Sequence, residues 1–147
     1  MIYVIAIVLF SSLWCFNQKK KPLQKTYKVS DSINSEKEIE MLRLVNEYRV
    51  NKVVMDGYAT KIAKQHNLEM IGKNEISHFD FNKRANLLME KGALSVGEIL
   101  AYGYNSNMGA LKGFKKSQSH NKTLLGNYSY VGISIVDRYY TLIFIKI

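Results

Sequence analysis

The sequence predicts an α+β domain in which helices and a sheet stack in layers. Capped, amphipathic helical patterns fill the middle of the chain, and two long β-rich runs at its end are separated by a two-residue turn. The composition agrees. Of 147 residues, 47% are hydrophobic and 22% charged, with 9 Gly and a single Pro, which excludes collagen-like, low-complexity and wholly disordered chains. The length suits one domain with an ordinary apolar core. One cysteine excludes an intramolecular disulfide framework and any Cys-rich zinc module.

A first helix is expected to open at Ser35 as N-cap, because Glu38 three residues later completes a capping box. Ile39, Leu42, Val45 and Tyr48 or Arg49 then track one face. The second helix starts at Asp56, carries Ala59, Ile62, Ala63, His66 and Met70 on one stripe, and is expected to close at Gly72. A third runs from Asp80 as N-cap through Phe81, Ala85, Leu88 and Met89 to Gly92. Residues 94–104 mix strand formers with Gly97 and Gly103, which suggests a short irregular strand or a loop. Ser106 can cap a fourth helix with Met108, Leu111 and Phe114, although Gly109 and Gly113 weaken it. The clearest element is the hairpin of 128–136 and 139–147 about Asp137-Arg138.

The net charge is +9. Five lysines, at 19, 20, 21, 25 and 28, face only Asp31 ahead of residue 36, and the other basic residues are scattered with no Arg-rich stripe. Nucleic-acid binding would call for clustering on one element, so no nucleic-acid partner is expected.

Residues 2–16 form an uncharged, mainly apolar run followed at once by those lysines. The run is slightly short for a helical span and lacks both a basic start and a convincing cleavage site. Residues 1–16 are therefore read as a membrane-directed leader helix, a signal sequence or an anchor, and 17–34 as a basic polar linker. Residues 35–147 form the domain. An extracytoplasmic domain, secreted or membrane-anchored, is the favoured topology; the alternative places it on the cytoplasmic face under the positive-inside rule.

Several pieces then fall in order: residues 63–70 (AKQHNLEM), Ser77-His78, Phe81-Asn82-Lys83-Arg84, Gly97-Glu98, residues 101–104 (AYGY), Ser117-Gln118-Ser119-His120, Leu124-Leu125, Tyr130-Val131-Gly132-Ile133 and residues 139–144 (YYTLIF). In order and spacing they resemble the CAP superfamily, the SCP domains of cysteine-rich secretory proteins, antigen 5 and pathogenesis-related proteins. The likeness covers residues 36–147 and is greatest to the short, disulfide-free bacterial type. The resemblance implies a three-layer α-β-α sandwich, an extracytoplasmic setting and a cleft lined by His and Glu. In family members that cleft can bind a divalent metal, and some members bind sterols or other lipids. Most have no established enzymatic activity.

Residue by residue, the resemblance makes His78 the first cleft histidine and Glu98 the glutamate of the Gly-Glu-Asn motif. His120 becomes the histidine of the Ser-x-x-His motif, with Ser117 at its head. The sequence also departs from the pattern. Ile99 replaces the Asn of that motif, Phe114 a frequent Trp, Tyr139 the C-terminal cleft histidine of eukaryotic members and Leu142 the following Gln. No residue matches the second cleft glutamate.

The candidate cleft is thus His78, Glu98, His120, Ser117 and Tyr139, with His78, Glu98 and His120 as candidate ligands for a divalent metal, zinc foremost. The same trio suits acid–base chemistry. Ser77 and Ser117 are weak candidate nucleophiles, since adjacent residues usually point apart and a triad needs a third group to orient the histidine. His66, on an apolar face, reads as a half-buried histidine bonded to a neighbour. The expected function is a non-catalytic binding module whose partner is a small apolar ligand or a surface protein, attached to the membrane through the N-terminal segment. The alternative is a metal-assisted hydrolase of peptidase or esterase type using the same residues.

Overall fold

The computed structural model describes residues 35–147; the leader and the linker lie outside the described residues. Helix α1 spans Glu36–Tyr48 and opens on the expected capping box. Ser35 Oγ accepts from the Glu38 amide at 3.3 Å, and Glu38 Oε2 accepts from the Ser35 amide at 2.9 Å. Its buried face differs from the expected one. Glu38, Met41, Leu44 and Val45 point inward, while Ile39 is 55% exposed. The face is rotated because Glu38 has a second partner in the sheet, the Ile135 amide at 3.2 Å, which draws a carboxylate inward and turns Ile39 out.

A two-residue strand β1 (Val54–Met55), which the sequence did not reveal, leads into α2 (Gly57–Lys73). Asp56 caps α2 through a 2.7 Å bond from the Ala59 amide, and the predicted stripe is buried, with Thr60 and Asn67 added to it. Gly72 does not end this helix. It continues to Lys73 and stops at Asn74, whose left-handed φ of 49° forms the C-cap.

Helix α3 (Phe81–Glu90) starts after Asp80 as expected, but Asp80 itself is left-handed and makes no side-chain cap bond. Residues 94–104 are more regular than expected. They contain β2 (Ser95–Tyr102), paired along its whole length with β4. The strand is held by its partner rather than by its own propensity, which is how tertiary pairing overrides glycine. Ser106 caps α4 (Asn107–Lys116) with a 3.1 Å bond from the Gly109 amide, and a further helix α5 (Gln118–Leu124) follows at once. Met89 and Met108, expected on buried faces, are each 45% exposed.

The hairpin is as predicted: β3 (Tyr130–Val136) and β4 (Tyr139–Lys146) turn through Asp137 and Arg138, both with positive φ, the geometry of a type I′ turn. The sheet order is β1-β3-β4-β2, with β1 parallel to β3 and the other pairs antiparallel. β4 is central and buried over seven of its eight residues, so it reads as a continuous apolar run rather than an alternating one.

Side-chain alternation divides the core in two. Tyr140, Leu142 and Phe144 of β4, with Ile99 and Ala101 of β2, pack under α1, α4 and α5 against Met41, Val45, Leu111, Phe114 and Leu124. Ile143 and Ile145 face the other way, against Ala59, Ile62 and Ala63 of α2 and Leu88 of α3. The result is three layers, α-β-α, as expected. Helix α2 lies so close to β3 that a Cβ on Gly132 would collide with the backbone of Ala59 and Thr60, which is why that strand position carries no side chain. Among the described residues no helix is long and apolar enough to cross a membrane.

Candidate functional site

Strand alternation aims Glu98, on the edge strand β2, at the α2/α3 layer, where its side chain is only 1% exposed. A buried carboxylate requires partners. Arg84 of α3 supplies a planar fork: Nε donates to Oε2 and Nη2 to Oε1, each at 2.8 Å. Its remaining Nη1 donates to the Phe79 carbonyl at 2.6 Å, tying down the loop between α2 and α3. His78 lies in that loop. Its Nδ1 is 2.9 Å from Glu98 Oε1, and the ring is 51% exposed. With Nδ1–H donating to the carboxylate, the other ring nitrogen is left as the acceptor.

His78, Glu98 and Arg84 therefore form one unit, a buried ion pair holding an exposed imidazole in a fixed orientation. Sequence reasoning assigned no role to Arg84. A signal was present: Arg84 precedes Ala85 and lies four residues before Leu88 on the apolar stripe of α3, and a charge on such a stripe needs a buried partner.

The other expected cleft residues are placed differently. His120 is on α5, which packs against the opposite face of β2; a Cβ on Gly97 would meet Thr123 of that helix. The His120 ring stands edge-on to Phe114 with centroids 5.6 Å apart. Burial, and secondly the nearby charge of His78, hold its pKa below the usual histidine value. The two imidazoles therefore flank the edge strand within electrostatic reach of one another. Ser117, at the α4–α5 junction, has its hydroxyl 3.3 Å from that of Ser119. Tyr139 shares the Glu98 face of the sheet but pairs in register with Tyr102, four residues farther along β2, and packs its ring on Tyr102 at 4.4 Å. Four residues of strand place it roughly 13 Å from Glu98, at the hairpin end.

The candidate metal set can be tested on this geometry. Both Glu98 oxygens accept from Arg84, and one also accepts from His78, so a guanidinium already neutralises the only carboxylate of the set. Among the described residues no group of three or more His, Cys, Asp or Glu side chains converges as a cation site would require. In this arrangement the donor set does not fit a metal ion.

The fold can be compared with known proteins. No family model matches the sequence. An extracellular protein of Bacillus anthracis containing an SCP domain superposes with a TM-score of 0.68 at 23% identity, covering 76% of this chain and 40% of that one. A cysteine-rich secretory protein of Staphylococcus aureus gives 0.70 at 18% identity, over 80% of this chain and 40% of that one. The chain has the CAP/SCP fold. An outer surface protein of Borrelia burgdorferi, at 0.68 and 19% identity, shares it over 78% of this chain and 96% of its own. In sequence, the uncharacterized membrane protein YlbC of Bacillus subtilis is 30% identical over an alignment 150 positions long that takes in 87% of this chain. The chain spans 43% of the length of that relative. This CAP/SCP-like domain thus resembles proteins described as extracellular, outer-surface or membrane proteins.

Proposed function

We propose that residues 35–147 form a non-catalytic, extracytoplasmic binding module that presents the His78 edge of the sheet to a small apolar ligand or a surface protein. The observation that carries this reading is the state of Glu98. Its carboxylate is buried and fully engaged by Arg84, so it orients His78 and is not free to act as a base. Neither serine near the histidines is set up as a nucleophile. Ser77 Oγ accepts from the Phe79 amide at 3.1 Å, and Ser117 Oγ pairs with Ser119. The extracytoplasmic setting is supported by the apolar leader and by the descriptions of the similar proteins.

The test is to purify the full chain in detergent, extract it with organic solvent for mass spectrometry, and assay it against peptide and ester substrates with and without zinc. A stoichiometric co-purified apolar compound, lost in His78→Ala, is the expected result. Turnover abolished by Glu98→Gln would overturn it in favour of the hydrolase. Protease accessibility of the domain from the cytoplasmic side alone would overturn the topology.

A further inference from the structure

A cavity next to the Glu98–Arg84 pair lies between α2 and the loop that follows it. It encloses about 260 Å³ and is lined by Glu69, Met70, Lys73, Glu75 and Phe79 around His66. His66 is only 3% exposed, and its Nε2 lies 2.9 Å from the Ser77 carbonyl, a pure acceptor. The proton must therefore sit on Nε2, which leaves Nδ1 as a lone-pair acceptor. Nδ1 is the one buried side-chain nitrogen or oxygen without a hydrogen-bond partner among the described residues. What faces it is another acceptor: Oε2 of Glu69, at 3.8 Å, whose Oε1 accepts from Gln65. Two acceptors opposed at that distance call for a donor with more than one hydrogen between them.

The surroundings narrow the donor. Among the lining residues Glu69 and Glu75 outnumber Lys73, whose ammonium already lies over the Phe79 ring at 4.2 Å, while the neighbouring Arg84 guanidinium is neutralised by Glu98. Met70 and Phe79 provide apolar wall. The volume is below the roughly 300–1,000 Å³ of sites for drug-sized ligands, so the occupant is small. We propose that this cavity binds a small primary ammonium compound whose N–H groups bridge His66 Nδ1 and Glu69 Oε2, with its alkyl part against Met70 and Phe79. Glu69, 45% exposed, is the movable wall that admits it. This site borders the His78–Glu98–Arg84 unit, because Arg84 donates to the Phe79 carbonyl. The atoms that would hold the ammonium, His66 Nδ1 and Glu69 Oε2, lie outside that unit, so a titration read at His66 tests it apart from the function proposed above.

The experiment is a nitrogen-15 titration of the histidine rings in the full chain, held in a nonionic detergent, with n-butylammonium chloride as probe. A saturable shift of the His66 Nδ1 resonance is expected. Tetramethylammonium, which has the charge but no N–H, should bind at least about tenfold more weakly, as loss of a hydrogen bond to a charged group implies. Glu69→Gln should weaken butylammonium by roughly tenfold with the amide spectrum otherwise preserved, whereas the distant Glu47→Gln should change nothing. Absence of a saturable shift would overturn the proposal. So would equal affinity for tetramethylammonium, or unchanged affinity in Glu69→Gln.

Discussion

The two faces of the sheet are built by different means. Under α1, α4 and α5 the contacts are almost wholly aliphatic and aromatic, centred on Ile99, Phe114, Leu142 and Phe144. Two buried charges interrupt them, both satisfied by backbone: Glu38 accepts from the Ile135 amide, and Arg49 donates to the Asn51, Leu124 and Gly126 carbonyls and lies over the Phe144 ring. Under α2 and α3 the apolar set is smaller and interleaved with polar groups. Asn67 donates to Ser134 and to the Tyr139 carbonyl and accepts from Thr141 at 2.7 Å, while Arg84 clasps Glu98. The apolar face holds the sheet by area. The polar face holds it by specific partners, and the candidate site and the His66 cavity are both on that side.

Removing volume from the apolar face tests the first half of this contrast. Phe114→Ala should cost about 3–5 kcal/mol by chemical denaturation, because a fully buried ring leaves a cavity that the packed layer cannot close. On the polar face, Arg84→Met should cost about as much, roughly 3–5 kcal/mol, by leaving Glu98 buried without its cation. The sharper comparison is the double variant Arg84→Met/Glu98→Leu. It should recover most of that loss, since an apolar pair avoids the desolvation penalty, whereas no second substitution next to Phe114 refills its cavity as simply. Failure of the double variant to recover would mean that the ion pair stabilises the fold by more than cancelling its own desolvation.

A smaller effect probes how tightly the polar face is packed. Gly132→Ala should cost about 1–3 kcal/mol, because the added methyl meets the α2 backbone and not a flexible side chain. The smallest effect concerns pH. Burial and the charge of Arg84 lower the His66 pKa, and burial lowers that of His120. Depressed histidines take up protons first in the unfolded chain, so the stability they confer is present above the ordinary histidine pKa of about 6.5 and is lost as pH falls below it. The melting temperature should therefore drop between about pH 7 and pH 5, and the drop should be shallower in His66→Gln. Asp56 acts in the opposite direction: burial raises its pKa, so its contribution grows as pH falls and is lost as pH rises through the raised value.

Much of this was legible in the residues. Ser35, Asp56 and Ser106 announced their helices because a cap is a local device, complete within four residues. The hairpin was legible for the same reason, its turn being two residues long. That His78 and Glu98 share a site was reached through an ordered likeness to a known family, not through spacing, and their direct contact only from the structure. Strand β2 was legible only as a short irregular strand or a loop, and the two-residue β1 not at all, since their regularity comes from pairing with strands distant in sequence. The role of Arg84 was likewise hidden, because its partner lies 14 residues away on another element.

The sequence by itself determined where the chain turns, caps and alternates, and so the order of helices and strands in an α+β domain. Only the tertiary structure decided which charges neutralise one another. It committed Glu98 to Arg84, set His120 and His78 on opposite sides of an edge strand, moved Tyr139 to the far end of the sheet, and left His66 with an acceptor facing an acceptor. Local hydrogen bonds are fixed by neighbours a few residues apart. Burial and charge pairing depend on which distant elements share a face, and that is settled only when the layers close.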